Sequence, residues 1–510
     1  MRNRVRAVLV LAAVAFAPPA SRAASAQPAA TRASWPVPET WDEEAIADLE
    51  VPLAVASASP RHVSAEYYYR MPVRPVYKSY PIYHPDREPP GYLQDLAKRE
   101  PEVAFDASVL ETEEDWILAG ELVFTAPIDF VFEGTLNAVV RSREWYHRLA
   151  IPLLKDGVFP FMRYVVRERG KVEVGLNSCA MCHTRVMPDG TVIRGAPGNF
   201  PDDRSFAYET RLEAAQGNSE ADVLRQMRSF LQRLHAAPWL RPDPNATLES
   251  ASLEDILLAL EAIPPGVCAR QGSSVFYPAR IPDLIGVRER RYLDASGLVR
   301  HRRVGDLMRY AALNQGADML STYDGFRPEG ELPGPGKLDR YSDEQLYALA
   351  LYIYSLEPPT NPNAVDAVAE RGREIFNREG CALCHTPPLY TNNMLTPAPG
   401  FQVPAAHETR FDVMSLSVGS DPDLTLRSRR GTGYYKVPSL KGLWYRGPFG
   451  HNGSVATLED WFDPERLKPD YQPTGFSGAG EKSRAVTGHE FGLDLEIEDR
   501  RALVAFLKTL

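Results

Sequence analysis

NSCAMCHTR, Asn177 to Arg185, returns 202 residues later as EGCALCHTP, Glu379 to Pro387. Four of the five cysteines stand in these two Cys-x-x-Cys-His pentads, and the fifth is Cys268. Covalent haem attachment needs two thiols that add across the porphyrin vinyl groups and a histidine that binds iron from one face, all on one turn of chain. Cys179, Cys182, Cys381 and Cys384 are therefore the expected attachment points of two c-type haems, with His183 and His385 as proximal iron ligands. A shared zinc ribbon would want its four ligands close together, which pairs this far apart do not offer. A thioredoxin-like redox pair would account for one pentad but not for the repeated histidine. Cys268, in PPGVCARQG, is expected to be a buried small hydrophobe.

The N-terminus carries three arginines in MRNRVRA and runs through VLVLAAVAFAPPA to small residues near Ala23 and Ala26. That pattern predicts a signal peptide over residues 1–26 and a periplasmic or secreted protein. The apolar run is short of the ~20 residues a membrane span needs, so no integral membrane segment is expected after cleavage. Losing the four arginines of residues 1–26 takes the formal net charge from −10 to −14, which argues against nucleic acid as a partner. At 510 residues, 44% hydrophobic and 24% charged, the chain has room for two to four ordinary globular domains.

Val368, Gly372, Ile375 and Phe376 fall on one helical stripe leading into the second pentad. The chain closes on a second helix pattern, acidic at its start, with Leu503, Phe506, Leu507 and Leu510 at core spacing. YALALYIYSL, Tyr347 to Leu356, matches RALVAFLKTL, Arg501 to Leu510, in small and apolar character, and Ser342 with Gln345 reads as a capping box for the earlier copy. The repeat predicts a mainly α protein with two cytochrome c-like haem domains, at 151–356 and 364–510, joined by the Pro/Asn-rich linker 357–363. Residues 27–150 are read as an irregular, Pro/Tyr-rich N-terminal extension wrapping the haem domains, its tyrosines serving as packing surface in preference to an electron relay.

GTGYYKVPSLKGLWYRGPFGHNGSVATLEDWFDPERL, Gly431 to Leu467, resembles the bacterial dihaem cytochrome c peroxidase superfamily, which includes dihaem rubber oxygenases. RPVYKSYPIYHPDREPPGY, IPDLIGVRERRYLD, GDLMRYAALNQGAD and TGHEFGLDL are most similar to the rubber oxygenase branch. The resemblance implies a six-coordinate C-terminal haem that handles electrons and an N-terminal haem where dioxygen or hydrogen peroxide binds. Glu465 stands where the typical peroxidase has its methionine ligand, so the resemblance points to His489 as the sixth ligand of the second haem, with His451 as runner-up and Met414 and Met394 as more remote candidates. Past the first pentad no histidine occurs before His235, and the FWDGR stretch of peroxidases is absent. The first haem is accordingly expected to be open and to lack a fast acid-base group, which favours dioxygen. Trp239 is a candidate inter-haem aromatic, with a core role weighing equally. The implied partners are a small redox protein or an apolar small-molecule or polymer substrate. The competing readings are a cytochrome c peroxidase and a non-catalytic dihaem electron carrier.

Overall fold

The computed structural model describes residues 35–510 except 244, 317 and 329; the expected signal peptide at 1–26 lies outside the described residues. Its longer elements run, in chain order, β1 (Ser79–Tyr83), α1 (Glu113–Thr125), β2 (Asp129–Val131), β3 (Val158–Glu168), β4 (Lys171–Leu176), α2 (Asp202–Ala215), α3 (Glu220–His235), α4 (Leu253–Glu261), α5 (Val304–Gln315), α6 (Asp343–Ser355), α7 (Ala367–Arg378) and α8 (Ile497–Lys508). Helix outweighs strand, 37% to 12%, in line with a mainly α fold. Among the described residues no helix is long and apolar enough to cross a membrane.

Two helix pairs organise the chain in the same way. Helix α7 crosses α8 where Gly372 lies on the Ala502 carbonyl, and α1 crosses α6 where Gly120 lies on the Ala348 carbonyl. Each glycine permits a backbone approach that any Cβ would block. Alanine is the better helix former by about 1 kcal/mol, but overpacking costs about 1–3 kcal/mol and here meets backbone that cannot yield. Gly372→Ala is therefore expected to lower unfolding stability by about 2 kcal/mol, read as a shift of the urea midpoint at unchanged slope. Around the α7–α8 crossing Ile375, Phe376, Leu503, Phe506 and Leu507 form a core that takes in the flank of the second pentad. The predicted stripe is kept except at Val368, which is exposed in the first turn of α7. The capping box of α6 is present, Ser342 Oγ accepting from the Gln345 amide.

The reading of residues 27–150 as irregular needs correction. Its described part holds α1, β1, β2 and a short helix Ala65–Arg70 that Ser64 caps. Strand β1 is the edge of an antiparallel sheet ordered β1-β3-β4-β2, with Tyr80 opposite Tyr164 and Ile82 opposite Phe159. Prolines argued against regular structure, but Pro81 sits on an edge strand beside a register shift, where its missing N–H costs nothing. Helix α1 was hidden by the proline-rich run before it, although Thr112 and Asp115 form a capping box. The tyrosines do pack: Tyr68 is buried and stacks on Trp41, ring centroids 4.2 Å apart.

Buried ion pairs tie the two halves together. Asp318 holds both Arg429 and Arg430. Arg429 also donates to the carbonyls of Arg233, Leu234 and Ala236, closing the C-terminal end of α3.

Candidate functional site

Strand β4 delivers the first pentad. Asn177, at φ 61°, turns the chain out of the sheet and donates Nδ2–H to Asp129 at 2.6 Å. Ser178 then caps the single turn Cys179–Cys182, accepting from the Met181 amide, and the His183 amide closes the turn on the Cys179 carbonyl at 2.9 Å. The second pentad forms a tighter turn, Cys381–Leu383, entered through left-handed Gly380 and closed by the His385 amide on Cys381 O at 2.9 Å. None of the five cysteines is in a disulfide, and Cys268 is buried. Among the described residues no three His, Cys, Asp or Glu side chains are grouped to hold a bare metal ion.

His385 is buried and His183 half-buried; desolvation pushes His183 down to about 4 and lowers His385 as well. They are neutral at pH 7, as iron ligation requires. His385 Nδ1 lies 3.2 Å from the Tyr390 carbonyl and 3.1 Å from the Pro438 carbonyl, so Nδ1–H is the donor and the Nε2 lone pair is left for a metal. His183 has the Pro282 carbonyl on its side, although its Nδ1 makes no hydrogen bond of ordinary geometry. The parallel is a repeat: IPDLIGVRER, 281–290, and VPSLKGLWYR, 437–446, each pass through a left-handed glycine, Gly286 and Gly442, into a short 3-10 turn.

A cavity of about 270 Å³ adjoins the second pentad, bounded by His385 on one side and His489 on the other. The two rings are 6.2 Å apart between centroids, tilted by 52°. A metal–imidazole bond of about 2.0 Å plus a ring radius of about 1.1 Å on each side makes about 6.2 Å, so one iron fits between them. Burial, and then the nearness of His385, lower His489 to about 3, again the neutral form. The loop that carries His489 is held by Arg466, fully buried, which donates to the carbonyls of Trp461, Val486, Gly488 and His489 at 2.6–2.9 Å. His451 borders the same cavity but stacks on Tyr435 at 4.7 Å, and it is not paired with the His385 ring. Met414 accepts from Asn392 Nδ2 at 3.6 Å and Met394 takes the Val437 amide on its carbonyl.

The cavity wall also carries Arg280, Arg290, Lys436 and Arg484, none in an ion pair among the described residues, while Arg446 is taken by Asp283. Burial pushes Lys436 down to about 7 and Arg280 to about 10. A surplus of enclosed cations in an acidic chain calls for enclosed anions. Haem carries two carboxylates, so the donor set fits the prosthetic group that the pentads imply. The sequence reading missed these cations and Arg466; aligning the two IPDL and VPSL segments would have exposed Arg290 and Arg446 as counterparts.

Trp239 is half-buried and stacks on Tyr323, centroids 5.6 Å apart and 13° from parallel, with the Arg429 guanidinium over the far ring. It packs against the core that also receives Cys179. His235 is fully buried, its ring nitrogens make no hydrogen bond of ordinary geometry although the Ser273 backbone lies beside the ring, and burial drives it to about 3. Both nitrogens are sealed from open space, so no ring lone pair is offered to the first pentad. Gln315 Nε2 lies 3.3 Å from Cys179 Sγ.

No family model matches the chain. Methylamine utilization protein MauG of Methylorubrum extorquens is 27% identical over 157 residues, 29% of this chain and 36% of that protein. Cytochrome-c peroxidase IdrP1 of Denitromonas iodatirespirans is 26% identical over 165 residues, 29% of this chain and 41% of its own length. The likeness is distant and partial. The chain spans about two fifths of the curated relatives it matches. Two solved structures, a Kuenenia stuttgartiensis hydrazine synthase (16% identity, TM-score 0.28, 56% of this chain and 87% of that one) and a MauG-like protein associated with microbial copper homeostasis (20%, 0.22, 33% and 56%), superpose too loosely to bear on the fold.

Proposed function

We propose that the chain is an exported dihaem c-type cytochrome acting as an oxidoreductase, with unequal haem sites. The observation that carries this is the pairing of His385 with His489 across one enclosed space, while no ring pairs with His183 among the described residues. Cys381, Cys384, His385 and His489 hold the electron-transfer haem, whose two fixed ligands keep reorganisation small. Cys179, Cys182 and His183 hold the reacting haem. The iron there supplies the site at which dioxygen or hydrogen peroxide is bound and reduced. Residues of the chain exclude bulk water, keep the proximal histidines neutral and carry enclosed positive charge against the haem carboxylates. Leu383, inside the second pentad, is 80% exposed, which supports electron exchange with a small redox protein at that edge.

Within this reading the rubber oxygenase-like branch, acting on an apolar substrate in the periplasm or outside the cell, rests on the resemblance of the segments quoted above. A peroxidase is the second reading, favoured by the partial likeness to cytochrome-c peroxidase IdrP1. Its reaction takes two electrons from the donor and two protons, H2O2 + 2 e− + 2 H+ giving two waters. The test is spectroscopic. The purified protein should contain two covalent haems, and Cys179→Ser with Cys182→Ser should leave one. After reduction the parent should bind one carbon monoxide; two low-spin haems and no carbon monoxide binding would leave only the electron carrier. Rapid peroxide turnover with a small donor protein would decide for the peroxidase.

A further inference from the structure

The two segments whose prolines stand beside the proximal histidines are joined side chain to side chain. In IPDLIGVRER, 281–290, the Pro282 carbonyl lies beside His183; in VPSLKGLWYR, 437–446, the Pro438 carbonyl lies 3.1 Å from His385 Nδ1. Each segment is closed by its own last residue. Arg290 donates to the Asp283 carbonyl, and Arg446 Nη1 donates to the Ser439 carbonyl at 2.7 Å, so in both copies an arginine fixes the residue that follows the proline. The first segment is also tied to the first pentad through main chain: the Gly195 amide donates to the His183 carbonyl at 2.7 Å and the Leu284 amide to the Gly195 carbonyl at 2.8 Å.

The copies part at the residue after the proline. Ser439 stays within its own half, its hydroxyl donating to the Leu389 carbonyl at 2.7 Å. Its counterpart Asp283 crosses to the other half. Asp283 Oδ2 accepts from Arg446 Nε at 2.7 Å and from the Tyr445 hydroxyl at 3.0 Å, while Oδ1 accepts from the Ile285 amide at 2.9 Å. Both members of the ion pair are buried, and Arg446 also borders the cavity between His385 and His489. Arg280 and Arg290 lie close to the pair as further cations. Arg185, two residues after His183, crosses at the same place and donates to the Gly447 carbonyl at 3.2 Å. An enclosed ion pair gives little net stability over apolar residues of the same size. Here it bridges the two segments that present carbonyls to the iron-binding histidines.

We propose that Asp283 is a positioning residue for both proximal histidines, its bond to Arg446 holding the Pro282 and Pro438 carbonyls in one frame, so that the axial ligand of each haem is set jointly with the other. The inference rests on the dihaem reading above and deepens it. A carbonyl held against Nδ1–H makes the imidazole a stronger donor to iron and favours the oxidised state. Loosening the frame weakens that donation on both sides.

The test is made on the full-length protein with both haems attached. In Asp283→Asn the iron–histidine stretching band of the reduced first haem, read by resonance Raman, is expected to shift to lower frequency, and the reduction potentials of both haems to rise. Asp283→Glu should recover part of each shift. Arg446→Gln removes a charge of the opposite sign from the other half of the chain, yet is expected to lower the same band. A through-space effect of charge would instead move the potentials of the two variants in opposite directions and leave the band in place. That result would overturn the proposal, as would parental spectra and potentials in both variants. Should either variant fail to take up haem, Tyr445→Phe, which removes one hydroxyl, is expected to lower the band by a smaller shift, and a parental band in it overturns the proposal equally. A parent without haem on the first pentad, or with no iron–histidine band there, overturns the underlying reading and the proposal with it. A parent that has the band, with variants that keep it, overturns the proposal alone.

Discussion

His489→Ala is expected to turn the second haem from a six-coordinate, low-spin centre into a five-coordinate, high-spin one that binds carbon monoxide after reduction. The reason is geometric: His385 and His489 are the histidine rings separated by the width of one axially ligated iron, and Arg466 fixes the loop that presents His489. Electron paramagnetic resonance of the oxidised protein reads the change directly. His451→Ala should leave the low-spin signal in place, because its ring is committed to Tyr435. An unchanged spectrum in His489→Ala together with a high-spin one in His451→Ala would reverse the assignment. Electron delivery to the first haem should also slow in His489→Ala, since gain and loss of a ligand raise the reorganisation that accompanies each electron.

The second large effect is on stability. Asp318→Asn keeps the shape of the side chain but leaves Arg429 and Arg430 enclosed without a counter-charge, a change that typically costs about 3–5 kcal/mol. Burial by itself would raise the Asp318 carboxyl, yet the Arg430 and Arg429 guanidiniums outweigh it and hold it well below the usual carboxylate range. A depressed folded-state value gives stability that is fully present above the unfolded value of about 3.9 and is lost as pH falls through the folded value. The gap between parent and Asp318→Asn in urea midpoint should thus be widest at neutral pH and narrow below about pH 4. A gap independent of pH would mean that packing, not charge, carries the contribution of Asp318.

Much of this was legible in the chain. The pentads, the capping box at Ser342 and the echo between 347–356 and 501–510 are local patterns, and local patterns survive without knowledge of the fold. His489 was reached through family likeness and loop position, and its ring lies 6.2 Å from that of His385 between centroids. What the sequence hid is non-local. The partner of α8 was sought next to the second pentad and found there, whereas the corresponding partner of α6 is α1, placed between the first two strands of a four-stranded sheet. Edge pairing of β1 depends on a bulge at Pro81 that no propensity announces. The surplus cations around the second cavity come from segments far apart in sequence, and only folding brings Arg280 and Arg290 against Lys436 and Arg484.

The crossing of α1 with α6 at Gly120 joins residues more than two hundred positions apart, with the first pentad between them. Loop closure over such a length is slow to nucleate, and long-range contacts of this kind delay folding. As the chain emerges from its N-terminus, both thiols of NSCAMCHTR therefore appear long before the helix that seals their domain. Under the haem reading proposed above, attachment at the first site is expected to precede native closure.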